Sequence, residues 1–270
     1  MGTEHWNVAR TGGTLMLYPK MKTLYELKPG KNERKWSCTE GKILAETAAL
    51  HRLPLEDLVF TEKIDGTCAW IKLNQDAMFS KVGSKSKACE FSIYICTTLK
   101  TNGELIAKDN NDKFHIEMAN QLMGTFNNMD DGLRMVLGDV TIFGELCGPK
   151  IQKGGVYFTE RRFIVFDIYD LKTNKFFTWP AVVHFCEELG LEHVPVIDYA
   201  GWYNAVVDSG HDIYKPLAPE LIKERLRTLK SAYNPDHTAE GMVIRHKNDT
   251  TVEKRYVAKI RKRDFNYEDK

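Results

Sequence analysis

The sequence predicts an α/β protein of the α+β kind, in which mixed, largely antiparallel sheets are combined with a few helices. Segments rich in β-forming residues recur along the chain, and apolar residues alternate with polar ones from Leu58 onward. Helical segments do not alternate regularly with these strands. A repeated βαβ unit is therefore not expected.

The strands are predicted from alternation and from the turn residues between them. A strand over 58–64, an Asp65-Gly66 turn and a returning strand over 67–73 together predict a hairpin. The same reasoning predicts further strands at 78–82, 91–99, 133–146, 162–169, 241–246 and 255–261.

Four helices are predicted from start and stop signals. The segment 41–53 ends before Pro54, and 115–126 carries apolar residues at helical spacing. Two later helices open with proline in the first turn: 180–189, which stops at Gly190, and 219–233.

Composition excludes several classes of protein. The 270 residues are 43% hydrophobic and 28% charged, which is ordinary for a globular protein, and no apolar run is long enough to cross a membrane. The first ten residues lack the apolar core of a signal peptide. Six cysteines show no close pair, which argues against a zinc site. We expect a soluble, intracellular monomer with reduced thiols.

Positive charge is concentrated locally although the net charge is only +1. From Arg245 to Arg263 there are eight Lys or Arg residues against two acids, and Lys81, Lys85 and Lys87 form a second cluster. Such segregation suits a polyanion such as nucleic acid. It is equally typical of a solvated protein face, so both interpretations stay open.

Lys63 is the first candidate for chemistry. It stands in Lys63-Ile64-Asp65-Gly66, at the end of a predicted strand and beside a turn that can hold its amine rigidly. A lysine amine becomes a nucleophile when desolvation or nearby cations favour its neutral form. The tetrapeptide alone is also common in ordinary hairpins.

Four later segments supply groups that nucleotide chemistry needs. Glu145 lies between two glycines, Phe166-Asp167 follows an apolar strand, Glu240 precedes a strand, and Lys259 and Arg261 share one face of another. Phosphoryl transfer depends on positioning and charge neutralisation. Each group also has a structural explanation, such as a turn cap, a core ring, a surface ion pair or an exposed edge.

The ordered set KIDG, FGELCGP, FIVFDI, EGMVIR and AKIR resembles the covalent nucleotidyltransferase superfamily of polynucleotide ligases and mRNA capping enzymes. Within it, TEKIDGT and GELCGPKIQK are most similar to ATP-dependent nick-sealing RNA ligases of the second phage type, which resemble the kinetoplastid RNA-editing ligases. The resemblance implies an ATP-grasp-like nucleotidyltransferase fold whose sheets flank a nucleotide cleft. We expect a catalytic domain over 58–270 and an N-terminal segment 1–57 that packs on the core or leads into it. Such ligases typically append a C-terminal domain, but we expect none here, because the sequence ends just after Lys259 and Arg261.

The resemblance also implies roles for individual residues. Lys63 would form a lysyl-AMP with ATP, Glu145 would bind the ribose and Phe166 would stack on adenine, with Asp167 supporting the site. Glu240 would act through Mg²⁺ or Mn²⁺ or by orienting Lys63. Lys259 and Arg261 would contact the AMP phosphate, Glu62 would be a weaker base contact, and Lys85 would bind the RNA end, with Lys81 and Lys87 as rivals.

Three positions depart from the family pattern. Cys68 stands where DNA ligases and capping enzymes have arginine, Lys85 replaces an arginine that contacts the RNA end, and Arg261 replaces a lysine. Lysine cannot reproduce the bidentate fork of arginine. The resemblance implies an ATP-dependent RNA ligase. A GTP-dependent capping guanylyltransferase and a non-catalytic RNA-binding protein of the same fold remain the alternatives.

Overall fold

The computed structural model describes residues 18–29, 36–38, 42–73, 81–84, 139–152, 156–209 and 215–265. These ranges contain strands and helices in an α+β arrangement with mainly antiparallel sheets, as the sequence predicts. The helices are α1 (Trp179–Leu189), α2 (Tyr199–Asp208) and α3 (Pro219–Thr228). The strands are β1 (Lys22–Thr23), β2 (Lys28–Pro29), β3 (Trp36–Ser37), β4 (Leu58–Lys63), β5 (Thr67–Leu73), β6 (Lys81–Ser84), β7 (Val140–Cys147), β8 (Arg162–Asp170), β9 (Lys175–Phe176), β10 (Gly241–His246) and β11 (Val257–Arg261).

Two larger sheets form the framework. One has the order β1-β11-β10-β4, in which only β1 and β11 are parallel, and the other has the order β6-β5-β7-β8-β9 with antiparallel neighbours. The strands β2 and β3 form a separate antiparallel pair. Most pairings join segments far apart in sequence, so the two sheets fix distant motifs relative to each other.

The expected hairpin at Asp65-Gly66 is wrong, although both flanking strands are present. β4 pairs with β10, whereas β5 pairs with β6 and β7, so the chain passes from one sheet to the other at this turn. Gly66 packs directly against β7. A Cβ there would lie 2.6 Å from the carbonyl oxygen of Leu146. Because this approach leaves no room for a side chain, the turn is held against the second sheet.

The segment 192–197 links the two sheets a second time. The backbone N–H of Val194 donates to Val165 of β8 at 2.8 Å, and the N–H of Ile197 donates to Phe60 of β4 at 2.8 Å. Glu62 in turn donates its N–H to Pro195 at 2.9 Å. This extended segment therefore sets the separation of the sheets along one side.

Each sheet buries one face against helices. Val182, Phe185 and Cys186 of α1 pack on the five-stranded sheet, and Ile222 and Leu226 of α3 pack on the four-stranded sheet. A fully buried side chain of this size contributes roughly 1.5–3 kcal/mol. We call the helix-covered faces the outer faces. The opposite, inner faces carry polar side chains near the turn at 64–66.

Helix boundaries show where the sequence predictions were wrong. α1 matches 180–189 closely, with Thr178 accepting from Ala181 and Gly190 in the left-handed conformation at its end. The expected helix 41–53 is instead a pair of 3-10 turns, in part because the Thr47 hydroxyl donates to the backbone oxygen of Leu24 at 2.9 Å. α3 ends at Thr228, because Leu229 is already extended.

The helix α2 was not predicted. Its start is capped by Asp198, which accepts from the backbone N–H of Gly201 at 2.8 Å. The predicted strands at 91–99 and helix at 115–126 lie outside the described residues, as do Lys85 and Lys87. In the part of the chain that is described, no helix is long and apolar enough to cross a membrane.

Candidate active site

The candidate site begins with a row of residues across the four-stranded sheet. Lys63 of β4 and Arg261 of β11 both stand opposite Gly241 of β10. In the next row on the same face, Lys259 stands opposite Val243. Side chains directly opposite each other in antiparallel strands point to the same side. Lys63 therefore shares one face of the sheet with Lys259 and Arg261, which are far from it in sequence.

Lys63 is paired with Glu240. Its Nζ donates to Oε2 of Glu240 and, at 3.3 Å, to the backbone oxygen of Ile64. Both side chains are largely shielded, with exposed fractions of 22% and 15%. Gly241 makes this approach possible, because a Cβ there would collide with the backbone carbonyl of Ile260 in β11. The strand carrying Glu240 can therefore lie close to its neighbour.

Glu145 faces this pair from the five-stranded sheet. It lies on β7 opposite Cys68 and Ile164. Burial raises the pKa of Glu145 to about 7; Lys63 lowers it, whereas Glu240 and Asp65 raise it further. A carboxyl group with this pKa can accept or donate a hydrogen bond near neutral pH. The carboxyl groups of Glu145, Glu240 and Asp65 are thus close enough to interact with one another near the Lys63 amine.

Lys259 is a second lysine of the site, and its pKa is lowered. Burial lowers the pKa of Lys259 to about 8, and the charges of Arg261 and Lys63 lower it further, while Asp264 and Glu240 oppose this. The Arg261 guanidinium is held by Asp264, with Nη2 donating to Oδ1 at 2.8 Å. Cations fixed in this way are arranged for an anionic ligand beside Lys63.

Phe166 lies at an irregularity in β8. Phe143 is opposite Asp167 and Gly144 is opposite Val165, so Phe166 is the extra residue of a β-bulge. A bulge redirects its side chain away from the regular alternation. Phe166 is half-buried between buried neighbours, and the ring of Tyr18 meets it edge-on with 5.0 Å between centroids. One aromatic surface is therefore turned out of the core.

Asp167 is fully buried behind Phe166. Its carboxylate accepts from Arg255 at 2.6 Å and from the Tyr18 hydroxyl at 2.9 Å, with Arg245 at 3.6 Å. Arg245 also donates to the backbone oxygen of Phe166 at 2.9 Å. This buried network connects β8 to β10 and to the segment before β11. It fixes the position of Phe166 relative to the lysine-bearing sheet.

Glu62 points to the other side of β4 from Lys63. Only 2% exposed, it accepts from the backbone N–H of Ala232 at 2.9 Å, and burial raises its pKa. Its Oε1 is buried with no hydrogen-bond partner among the residues that the structure describes. The site residues on the row across the sheet are thus brought together, whereas Glu62 and Asp167 are held in separate buried contacts.

Sequence reasoning missed several residues of this region. Tyr157 lies near Glu240, Glu62 and Asp65, whose charges add to burial in raising its pKa. Arg245 and Arg255, which hold Asp167, were read only as part of a basic run. The alternation of residues in β10 predicts that Arg245 lies on the same face as Lys63, but it does not predict that Asp167 is its partner.

A divalent cation bound at this site would have few protein ligands. Within the described ranges, no three His, Cys, Asp or Glu side chains come together as a metal site. Mg²⁺ is commonly bound by one or two carboxylates together with phosphate oxygens and water. Glu240 supplies one such carboxylate. The arrangement as a whole offers a lysine amine paired with a carboxylate, an aromatic surface and cations, which suits phosphoryl transfer to lysine.

Comparisons with known proteins agree with this chemistry. The family model described as RNA ligase matches residues 56–261. A variant of the Naegleria gruberi RNA ligase with ATP and Mn is similar in structure, with a TM-score of 0.53 and 15% identity over 91% of this chain and 56% of that one. An apo variant of the same enzyme has a TM-score of 0.51 and 15% identity, over 81% of this chain and 53% of that one.

The chain therefore spans about half the length of the solved structures that it resembles. At this level of identity the structural likeness shows a common fold. Comparison with curated proteins gives no match.

Proposed function

This chain belongs to the RNA ligase family, and we propose that it is an ATP-dependent ligase that joins RNA 3′-hydroxyl and 5′-phosphate ends. The observation that carries the proposal is the ion pair of Lys63 and Glu240, with Lys259 and Arg261 on the same sheet face and Glu145 opposite. The catalytic domain is taken to extend over 58–270.

In the first step, Lys63 Nζ attacks the α-phosphorus of ATP. An N–P bond forms, the bond from that phosphorus to the bridging oxygen breaks, and pyrophosphate leaves. The amine must first give up a proton, and Glu240 is the carboxylate in contact with it. Lys259 and Arg261 would stabilise the negative charge that develops on the phosphate.

Glu240 and the phosphate oxygens would hold Mg²⁺ or Mn²⁺, whose chemistry is to neutralise phosphate charge. Glu145 is proposed to bind the ribose hydroxyls, because a carboxyl group with a pKa of about 7 serves as acceptor or donor there. Phe166 would stack on adenine. Glu62 would contact the base through Oε1, because its other oxygen already accepts from Ala232 and Oε1 has no partner among the described residues. Asp167 would support the site through its arginine partners.

The second and third steps return the enzyme to its starting state. An oxygen of the RNA 5′-phosphate attacks the phosphorus of lysyl-AMP, the N–P bond breaks and the amine of Lys63 regains its proton. The RNA 3′-hydroxyl then attacks the activated 5′-phosphate, loses its proton and expels AMP. Covalent catalysis thus divides one condensation into exchanges of similar bonds.

The RNA end would be bound by a positively charged side chain. Lys85 is the proposed contact to the RNA end, and Lys81 and Lys87 are its rivals. The need for ATP and RNA implies an intracellular site of action, and a monomer suffices for each step.

Nucleotide labelling tests the proposal. The protein is incubated with Mg²⁺ and α-labelled ATP or GTP, and the acid stability of the bound label is measured. The expected result is an acid-labile label from ATP that is absent from Lys63→Ala. Labelling by GTP alone would indicate a guanylyltransferase. RNA binding without any label would indicate a non-catalytic protein.

A further inference from the structure

A concave surface with a volume of about 590 Å³ lies at the β1 edge of the four-stranded sheet. Its walls are the segment 18–22, the 3-10 turn Ala45–Thr47 and the loop that precedes β11. We propose that this pocket binds one nucleotide of the RNA strand, with its base against Tyr256 and its phosphate between Lys20 and Lys254. The inference rests on the proposed ligase function and adds an RNA subsite to it.

Charge in the pocket favours a phosphate. Lys20 and Lys254 are exposed at its rim, and among the described residues neither has an ion-pair partner. The two other cations are already neutralised: Lys22 pairs with Glu46 at 3.1 Å, and Arg255 pairs with Asp167. Two uncompensated positive charges therefore face the same opening.

The pocket also offers an aromatic surface on a fixed loop. Tyr256 is 40% exposed. Its backbone N–H donates to Asp249 at 2.8 Å, and Asp249 also accepts from the hydroxyl of Thr251 at 2.7 Å. A buried carboxylate therefore fixes the backbone that carries the ring, and the ring itself meets that of His246 with 6.2 Å between centroids. Stacking on such a ring accepts any base.

The pocket adjoins the proposed transfer site along one strand. Val257 lines the pocket, and Lys259 of the cleft is two residues further along β11, roughly 7 Å at the usual rise of a strand. Tyr18 forms part of the pocket and also contacts Phe166. Tyr256 alternates to the other face from Val257, where its ring meets that of His246, so an RNA strand whose end is at Lys63 would reach the pocket around the β1 edge of the sheet.

The nature of the walls favours a nucleotide over a bare polyphosphate. Beside the two lysines, the lining is largely apolar and includes Pro19, Met21, Val252 and Val257. A highly charged triphosphate tail would leave this surface unused, whereas a base and sugar would cover it. The volume is also within the usual range for small-ligand sites.

Binding of a short 5′-phosphorylated single-stranded RNA, labelled at its 3′ end, tests the inference by fluorescence anisotropy with EDTA present to prevent chemistry. Tyr256→Ala should raise Kd about tenfold, because stacking on the ring is lost. Tyr256→Phe keeps the ring and should bind nearly as the wild type does. Thermal unfolding of each variant verifies that it is folded.

A pair of double variants separates this site from general attraction. Lys20→Ala with Lys254→Ala should reduce the slope of log Kd against log salt by about 0.7, the value for the one phosphate that the two lysines share. Lys172→Ala with Lys175→Ala removes the same charge from the turn between β8 and β9 and should change the slope by much less.

Three results would overturn the inference: unchanged RNA affinity in the pocket variants, equal losses in the control pair, or a higher KM for ATP in lysine labelling that exceeds the loss in RNA affinity. The last would assign the pocket to the polyphosphate of ATP. If the wild type binds RNA through this pocket yet never becomes labelled by ATP, the ligase proposal fails while the RNA subsite stands.

Discussion

Replacing Asp167 tests how the nucleotide cleft is held together. The carboxylate is fully buried and is bound by Arg255, Arg245 and the hydroxyl of Tyr18. In Asp167→Asn the side chain keeps its shape but loses its charge, so two buried guanidinium groups lose the carboxylate that they share. Arg245 keeps its hydrogen bond to the backbone oxygen of Phe166. Arg255 keeps the Tyr18 hydroxyl, the ring of Phe176 at 3.8 Å from its centroid and the charge of Asp249.

Removing one partner of a buried ion pair typically costs about 3–5 kcal/mol. We expect Asp167→Asn to lose stability in this range, measured by urea unfolding at pH 7 with tryptophan fluorescence. Asp170→Asn is the matched control. It makes the same change at the end of the same strand, where the carboxylate accepts from the exposed backbone N–H of Lys172 at 2.7 Å. That change should cost about 1 kcal/mol or less.

A double-mutant cycle identifies the cause. If unpaired charge is responsible, adding Arg255→Met to Asp167→Asn should give a coupling energy of about 2 kcal/mol or more. Equal stability losses in Asp167→Asn and Asp170→Asn would refute the reasoning. So would additive effects of Asp167→Asn and Arg255→Met.

Three further predictions concern the cleft itself. Because burial raises the pKa of Glu145 from 4.5 to about 7, its contribution to stability is complete below pH ~4.5 and lost as pH rises through ~7. The free energy of unfolding of Glu145→Gln should therefore rise relative to that of the wild type between pH 4 and pH 8, by up to about 3 kcal/mol, as measured by unfolding curves at the two pH values. Gly241→Ala should cost about 1–3 kcal/mol and reduce labelling, since its Cβ meets the backbone of Ile260. Lys259→Ala should reduce labelling by ATP about 100-fold or more, whereas Lys85→Ala should spare labelling and slow the sealing of RNA ends.

Local sequence signals predicted the strands around the site well. Runs of β-forming residues gave β5, β8 and β10 nearly to the residue, because consecutive residues of these strands are buried and therefore apolar on both faces. What these runs could not give was the pairing. The turn at Asp65-Gly66 looks like a hairpin in sequence, and only the packing of Gly66 against β7 directs the chain into the second sheet.

The site itself was predictable from motifs but its geometry was not. The order of motifs singled out Lys63, Glu145, Glu240 and Lys259, yet nothing in their spacing shows that Lys63 and Glu240 form an ion pair. That contact depends on the register of β4 with β10 across 177 residues of sequence. Long-range register is set by the whole core, so no local pattern predicts it.

The partners of Asp167 illustrate the same limit. Arg245 and Arg255 lie in a segment whose excess of positive charge suggested a surface for polyanions. Both are instead buried, with their side chains 5% and 6% exposed, and they face a carboxylate 78 and 88 residues earlier in the chain. A count of charges cannot separate exposed cations from buried ones.

The mass of the protein after incubation with ATP and Mg²⁺ tests the central claim most directly. Intact-mass spectrometry followed by peptide mapping should find one AMP per chain, attached to the peptide that contains Lys63, and none in Lys63→Ala. A folded wild-type protein that gains no nucleotide, or gains it on another lysine such as Lys259, would contradict the account.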